Sequence, residues 1–208
     1  MRSNERSHWA CRAALKSAFA LLAVFVVTAI TAAAAAAGTV TGKVTATPAK
    51  YLAETVVYVL SAPGKTAPRS EAMDQKGMKF VPPVLTVAQG DTVKFLNHDT
   101  VAHNVYSPDH EAYNLGTFKP GEARTHVFAD TTGVYTQLCS IHPEMLGYIF
   151  VGQNRYASVV DASGHYTLKD VPPGQYTLAV WNPQLKASQQ QITVAEGKPT
   201  TADFSLQR

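Results

Sequence analysis

The sequence predicts an all-β protein, and three observations support that prediction. From residue 38 onward no helical periodicity extends over any length. Short runs of alternating or β-branched residues occur instead. Between these runs stand strong turn signals at 89–91 (Gln-Gly-Asp), 119–121 (Lys-Pro-Gly) and 172–174 (Pro-Pro-Gly). The 208 residues could form one large or two small domains, and either could bury a substantial core.

The predicted strands fall into two groups along the chain. The first group covers 39–45, 55–60, 84–87, 92–97, 102–106, 122–128, 133–139 and 147–151. The second group covers 165–169, 175–181, 189–194 and 201–206. The segment 62–77 contains Gly, Pro and several charged residues, so we expect it to be an exposed connection.

Residues 1–37 have the pattern of a signal peptide. A basic start is followed by an apolar run from Ser17 and by small residues at 32–37 that suit a signal peptidase. The apolar run is about 20 residues long and could instead serve as a retained membrane anchor. We therefore expect a periplasmic or otherwise exported protein, which contacts the membrane only if this segment stays uncleaved.

The charge and the cysteine content of the remaining chain limit its function. Residues 1–37 contain four of the 18 basic and one of the 15 acidic residues, so 14 of each remain. A nearly neutral chain gives no reason to expect a nucleic-acid partner. With Cys11 removed, Cys139 is the single cysteine in a compartment that oxidises thiols. Metal ligation is the usual way to protect such a residue.

Cys139, His142 and Met145 form a motif in which potential metal ligands recur every three residues. Thiolate and thioether stabilise Cu(I), and imidazole tolerates both oxidation states of copper. Structural zinc sites use more cysteines and rarely use methionine. His103 follows the predicted strand 92–97, where a hairpin end could bring it beside this motif as a fourth ligand.

Five stretches resemble cupredoxins of the amicyanin and plastocyanin group: "MKFVPPVLTVAQGDTVKFLNHD", "HNV", "FKPGE", "GVYTQLCSIHPEM" and "GYIFV", within roughly residues 73–152. This resemblance implies a Greek-key β-sandwich with one type 1 (blue) copper. It also implies a hydrogen bond from Asn104 toward Ser140 and an electron-transfer patch at His142, Pro143 and Leu146. By the same resemblance the copper ligands are His103, Cys139, His142 and Met145. Gln137 departs from expectation, because strand alternation puts it on the face of Cys139, where an apolar residue would fit better.

The C-terminal segment, "GHYTLKDVPPGQYTLAVWNP" with "ITVAEGKPTTADFSL", resembles the later half of a carboxypeptidase regulatory-like β-sandwich. The opening "GTVTGKV" and "ETVVYVL" resemble its first two strands. One hypothesis therefore joins 38–61 and 153–208 in a small discontinuous sandwich, with a cupredoxin domain at 62–152 inserted. The alternative assigns 56–60 to the cupredoxin domain as its first strand.

The predicted function is electron transfer between redox partner proteins, without enzymatic activity. Copper oxidases and nitrite reductases need further copper centres with His-x-His or His-Cys-His ligand pairs, and the sequence contains neither pattern. The alternative is a copper carrier or an interaction module in which the C-terminal sandwich does the binding.

Overall fold

The computed structural model describes residues 36–64 and 66–208, and seventeen strands lie in this part of the chain. The all-β prediction is confirmed, since the only helical element in the described residues is the short 3-10 turn Ala49–Tyr51. The predicted signal peptide, apart from residues 36 and 37, lies outside the described residues, as does Cys11. The strands are β1 (Gly38–Thr47), β2 (Val56–Val59), β3 (Ser70–Gln75), β4 (Phe80–Val81), β5 (Val84–Ala88), β6 (Thr92–Asn97), β7 (His103–Ser107), β8 (Tyr113–Phe118), β9 (Ala123–Val127), β10 (Gly133–Leu138), β11 (Leu146–Gly152), β12 (Ala157–Val159), β13 (His165–Val171), β14 (Gly174–Trp181), β15 (Ser188–Val194), β16 (Pro199–Thr201) and β17 (Phe204–Gln207).

Strands β3 to β11 form a sandwich that we call the inner sandwich. One sheet has the order β5-β11-β10-β7-β8, and the other has the order β4-β3-β6-β9. Large apolar side chains alternate inward along these strands because successive residues point to opposite faces. Their shared core comprises Met73, Phe80, Val87, Val93, Phe95, Val105, Phe118, Phe128, Tyr135, Cys139, Met145, Ile149 and Val151.

Strands β1, β2 and β12 to β17 form a second sandwich that we call the outer sandwich. One sheet has the order β13-β1-β16, with β17 also paired to β1, and the other has the order β12-β2-β14-β15. Strand β2 thus pairs with β14 and β12, for example Val57 with Val180 and Ser158. A separate core fills this sandwich, with Val40, Val44, Tyr166, Leu168 and Leu178 among its members.

The expectation of an exposed connection over 62–77 is wrong for its second half. Residues 70–75 form β3, which runs parallel to β6 and buries Met73 and Gln75. The segment carries only one large apolar residue among charged ones, so its period of two is almost invisible in the sequence. Strand β8 was not predicted either, because its sequence contains Gly116 and only its last residue, Phe118, is a buried apolar residue.

The two sandwiches contact each other through an apolar cluster. Val56 of β2 packs with Val84 and Phe150 of the inner sandwich. The rings of Tyr58 and Phe150 lie 4.5 Å apart, centroid to centroid. Trp181 packs edge-on against Tyr148 at 5.3 Å. Aromatic contacts of this kind add stabilisation beyond the burial of their area.

A buried ion pair ties the connection between β11 and β12 to the inner sandwich. Asp91 is completely buried and accepts hydrogen bonds from both Nη atoms of Arg155, at 2.9 and 3.0 Å. Its oxygens also accept the backbone N–H groups of Arg69 and Ala88. Burial raises the pKa of Asp91, but the hydrogen bonds and the charge of Arg155 outweigh it and leave the pKa below its usual value.

No helix in residues 36–64 and 66–208 has the length and apolar character needed to cross a membrane.

We predict that Asp91→Asn lowers the free energy of unfolding by about 3 kcal/mol at pH 7, because it leaves the Arg155 charge without its partner. A carboxyl whose pKa is lower in the folded state stabilises the fold above its unfolded pKa of about 3.9, and that contribution disappears as the pH falls through the folded pKa. Denaturant unfolding at pH 7 and at pH 3 should therefore show a smaller difference between variant and parent at pH 3. Glu122→Gln, which removes an exposed carboxylate beside Arg124, is the control and should change little. An equal loss at both pH values would contradict this prediction.

Candidate metal centre

Three side chains with metal-binding atoms converge at one end of the inner sandwich. They are His103 at the start of β7, Cys139 just after β10, and His142 in the following connection, and their ligand atoms all lie within 4.8 Å of one another. The Nδ1 atoms of His103 and His142 are 3.0 Å apart, and Cys139 Sγ is 3.9 Å from His142 Nδ1. His103 and Cys139 are buried, whereas His142 is half-buried.

Strand pairing brings these residues together from distant parts of the sequence. Strands β7 and β10 are neighbours in one sheet, with Leu138 opposite Tyr106. His103 begins β7 and Cys139 follows the last residue of β10, so the antiparallel pairing places both at the same sheet end.

Asn104 links the two segments through hydrogen bonds. Its backbone N–H donates to Cys139 Sγ at 3.4 Å. Its Oδ1 accepts from the backbone N–H and the Oγ of Ser140, at 3.2 and 3.0 Å. Its Nδ2 donates to Asn114 Oδ1 and to the Gly116 carbonyl. One buried amide therefore connects β7, β8 and the segment that carries Cys139.

The second ring nitrogen of His103 contacts a carboxylate that our sequence analysis did not identify. His103 Nε2 lies 3.0 Å from Asp99 Oδ2. Backbone N–H groups of Met78 and Thr100, together with His103, lower the pKa of Asp99 to about 2. An ionised carboxylate only accepts hydrogen bonds, so this contact favours the tautomer with the proton on Nε2 and the lone pair on Nδ1, the atom that faces His142. One sign of this contact is visible in the sequence, because an aspartate stands four residues before His103.

A second buried amide holds the turn that carries Asp99. Asn97 Nδ2 donates to the carbonyl oxygens of Val101 and Phe118, at 3.0 and 3.1 Å. Its Oδ1 accepts the backbone N–H of Asp99 at 3.0 Å. Because Asn97 ends β6 and Phe118 ends β8, the turn before His103 is fixed to both sheets of the inner sandwich.

Met145 lies in the apolar core to which Cys139 also belongs, and it is almost fully buried. Its backbone N–H donates to the His142 carbonyl at 3.0 Å, which closes the connection between β10 and β11 into a turn. Next to it, Gly147 approaches Phe80 so closely that an added Cβ would lie 2.9 Å from the Phe80 Cβ. The end of this connection is thus packed directly against β4.

Known proteins resemble the part of the chain that carries these residues. Residues 68–152 match the model of copper binding proteins of the plastocyanin/azurin family. A reduced amicyanin variant of known structure is 30% identical over 39% of this chain and 81% of its own, with a TM-score of 0.37. The chain belongs to the plastocyanin/azurin family of copper binding proteins, the cupredoxins.

The other comparisons concern both sandwiches. The purple cupredoxin from Nitrosopumilus maritimus is 28% identical over 39% of this chain and 98% of its own, with a TM-score of 0.37. A Cu(I) amicyanin variant is 30% identical over 38% of this chain and 79% of its own, with a TM-score of 0.36. Residues 150–207 match the model of the carboxypeptidase regulatory-like domain. No curated protein matches the chain. Both resemblances found in the sequence are confirmed.

The donor set of this cupredoxin fits copper. A thiol and two imidazoles converge, and a thioether lies in the same core, so the available ligands are soft or borderline. In the described residues this is the one group of three or more His, Cys, Asp or Glu side chains placed for metal binding. The family and the donor set together identify a copper-binding protein.

Gln137 is accommodated in the cupredoxin core by hydrogen bonds. It is fully buried, its Oε1 accepts from the Tyr113 hydroxyl, and its Nε2 donates to the Tyr135 carbonyl at 3.0 Å. Burial raises the pKa of Tyr113, so its hydroxyl stays protonated as a donor. The paired amide therefore avoids the cost that an unpaired buried polar group would bring.

Apolar side chains are exposed in the two connections that carry the converging residues of the cupredoxin. Of the predicted patch, Pro143 and Leu146 are exposed and His142 is half-buried. Val101 and Ile141, which the sequence analysis did not include, are also exposed, at 41% and 44%. The buried Met145 does not contribute to this surface.

We predict that Asn104→Ala lowers the free energy of unfolding of the copper-free protein by about 2–3 kcal/mol. The substitution removes four side-chain hydrogen bonds and leaves buried partners unpaired. Ser140→Ala, which removes only the hydroxyl hydrogen bond, should cost about 1 kcal/mol. Denaturant unfolding of both variants measures this, and equal losses would show that Asn104 does not link the strands as described.

Proposed function

We propose that the protein holds one type 1 copper through His103, Cys139, His142 and Met145 and carries single electrons between redox partner proteins. The observation that carries this proposal is the convergence of a buried thiol and two imidazoles from separate hairpins. Copper, when bound there, supplies a one-electron Cu(II)/Cu(I) couple.

The chain's own residues keep the donors in place. Asn97 fixes the turn before His103, and Asn104 ties that strand to Ser140 beside Cys139. Each of these amides is buried and uses several hydrogen bonds, so neither segment can shift alone. A site whose donors do not move when the charge changes favours rapid electron transfer over substrate binding.

The exposed apolar side chains support a docking role for the same end of the molecule. His142 is the half-buried donor, and Pro143, Leu146, Val101 and Ile141 provide apolar surface in the connections around it. A small apolar patch suits weak, short-lived contact with a redox partner. We further propose that residues 1–37 direct export and that the copper centre works in the periplasm or an equivalent compartment.

The domain organisation is part of the proposal. The pairing of β1 with β13, β16 and β17, and of β2 with β12 and β14, supports one discontinuous sandwich made of 38–61 and 153–208. The cupredoxin domain then spans 62–152. We propose that the outer sandwich serves as a rigid mount, meaning that it holds the copper domain in a fixed position. Two contacts support this role: Trp181 packs on Tyr148, and Arg155 pairs with Asp91.

A second candidate is a copper carrier or interaction module. The separate core and the family match of the outer sandwich favour it, because such a sandwich could bind a partner without any part in electron transfer. The copper off-rate under a mild chelator discriminates the two. Slow release supports the electron carrier, and rapid release supports the copper carrier.

We predict an intense visible absorption band from Cys139 ligation when Cu(II) is added to the protein, bleached reversibly by ascorbate. Cys139→Ser should abolish the band because it removes the thiolate. His98→Ala is the matched control, since His98 is an exposed histidine five residues before His103. Absorption and paramagnetic resonance spectra of the three proteins measure this. A band that survives in Cys139→Ser would contradict the type 1 assignment.

We also predict that the two sandwiches unfold together. Trp181 is the only tryptophan after residue 37 and lies where they meet. Val44→Ala, a truncation in the outer core, should cost about 2 kcal/mol and lower the midpoint for Trp181 fluorescence and for the copper band alike. If only the fluorescence transition moved, the mount hypothesis would fail.

A further inference from the structure

Asp99 faces the imidazole of His103 on the side opposite the other donors. Asp99 Oδ2 lies 3.0 Å from His103 Nε2, the side chain of His103 is fully buried, and that of Asp99 is only 12% exposed. We propose that Asp99 is a positioning residue that fixes the His103 tautomer and lowers the reduction potential of the bound copper. The potential-setting part rests on the proposed electron-transfer function.

The carboxylate is itself held in this orientation. Its Oδ2 also accepts the backbone N–H of Met78 at 2.8 Å, and its Oδ1 accepts the backbone N–H of Thr100 at 2.8 Å. Its own backbone N–H donates to Asn97. Two backbone N–H groups thus hold the carboxylate toward His103, and a third hydrogen bond fixes the backbone that carries it. This is the arrangement expected of a group that orients a ligand.

The proton on Nε2 leaves Nδ1 of His103 as the atom available to a metal, and Nδ1 is the atom directed at His142. A carboxylate on the far nitrogen also makes the imidazole a stronger electron donor. Its negative charge lies one ring away from the donor cluster, and the ring between them is the fully buried imidazole of His103. That charge stabilises Cu(II) more than Cu(I), because Cu(II) carries the larger positive charge.

The chain contains a second aspartate–histidine pair that serves as a matched comparison. His98 Nδ1 lies 2.9 Å from Asp74 Oδ2, but the His98 side chain is 61% exposed and is not among the converging donors. Asp74 is on β3, whose pairing with β6 places it opposite Leu96, next to the residue that begins the Asp99 turn. Asp74 is thus a nearby carboxylate that does not contact His103. Removal of its charge measures how much such a carboxylate changes the reduction potential of the copper.

The experiment compares Asp99→Asn and Asp74→Asn with the parent protein. Asparagine keeps an acceptor oxygen near Nε2 but loses the charge. For the copper-loaded proteins we expect Asp99→Asn to increase the equilibrium constant for reduction at least ten-fold, which is 59 mV for a one-electron couple. Asp74→Asn should change it less than two-fold. Redox titration of the visible band measures both.

A copper-free measurement tests the positioning part separately. Nitrogen-15 NMR of the copper-free parent should show His103 protonated at Nε2, with a strongly hydrogen-bonded proton that loses this character in Asp99→Asn. Protonation at Nδ1 instead would overturn the proposal. So would equal potential shifts in the two variants. If Asp99→Asn does not fold, Asp99→Ser takes its place in both measurements.

The two parts of the experiment separate the failure of this inference from that of the proposed function. A parent protein that takes up no copper would overturn the electron-transfer proposal. The NMR result would still decide whether Asp99 sets the His103 tautomer. If the parent protein takes up copper and the reduction potential rises more in Asp99→Asn than in Asp74→Asn, both the electron-transfer proposal and the role of Asp99 are supported.

Discussion

The convergence of His103, Cys139 and His142 depends on the pairing of β7 with β10. His103 and Cys139 are separated by the whole of β8, β9 and β10, and only the sheet brings them to one end. The register that sets Leu138 opposite Tyr106 fixes which side chains face the core, since a slip of one residue would turn Cys139 away from His103. Asn104 then locks that register through its contact with Ser140.

The polar side chains that join segments of the inner sandwich divide into two kinds. Asn97, Asn104 and Gln137 are neutral amides whose hydrogen bonds join separate strands. Asp91 and Asp99 are carboxylates that collect backbone N–H groups and one side chain each. The amides specify where the strands lie, and the carboxylates add charge at fixed positions. This combination pairs the amides and carboxylates just named, whereas Gln75 Oε1 and His126 Nε2 are buried in the described residues without a hydrogen-bond partner.

The sequence was informative where local pattern and chemistry coincide. The spacing of Cys139, His142 and Met145 and the strand before them are both local features, and the structure places the first two beside His103. Strand β3 was missed because its inward residues are one methionine and one glutamine, which alternation alone does not mark as buried. Asp99 was missed because its role depends on the conformation of the turn, which Asn97 sets through contacts distant in sequence. The packing of Gln137 likewise required its partner on another strand, Tyr113.

The order in which the strands leave the ribosome has a consequence for assembly. Strand β1 is made early, yet Gly38 pairs with Val171, far along the chain. The entropy needed to close such a long loop falls if the intervening segment has already become compact. Once β3 to β11 fold, their end is held near β2, because Asn154 donates to the Val59 carbonyl and the Val59 N–H donates to Tyr156. We therefore expect the metal-binding half to act as a template for the other half during synthesis. A core substitution in β3 to β11 would then appear first as a failure of both sandwiches to mature.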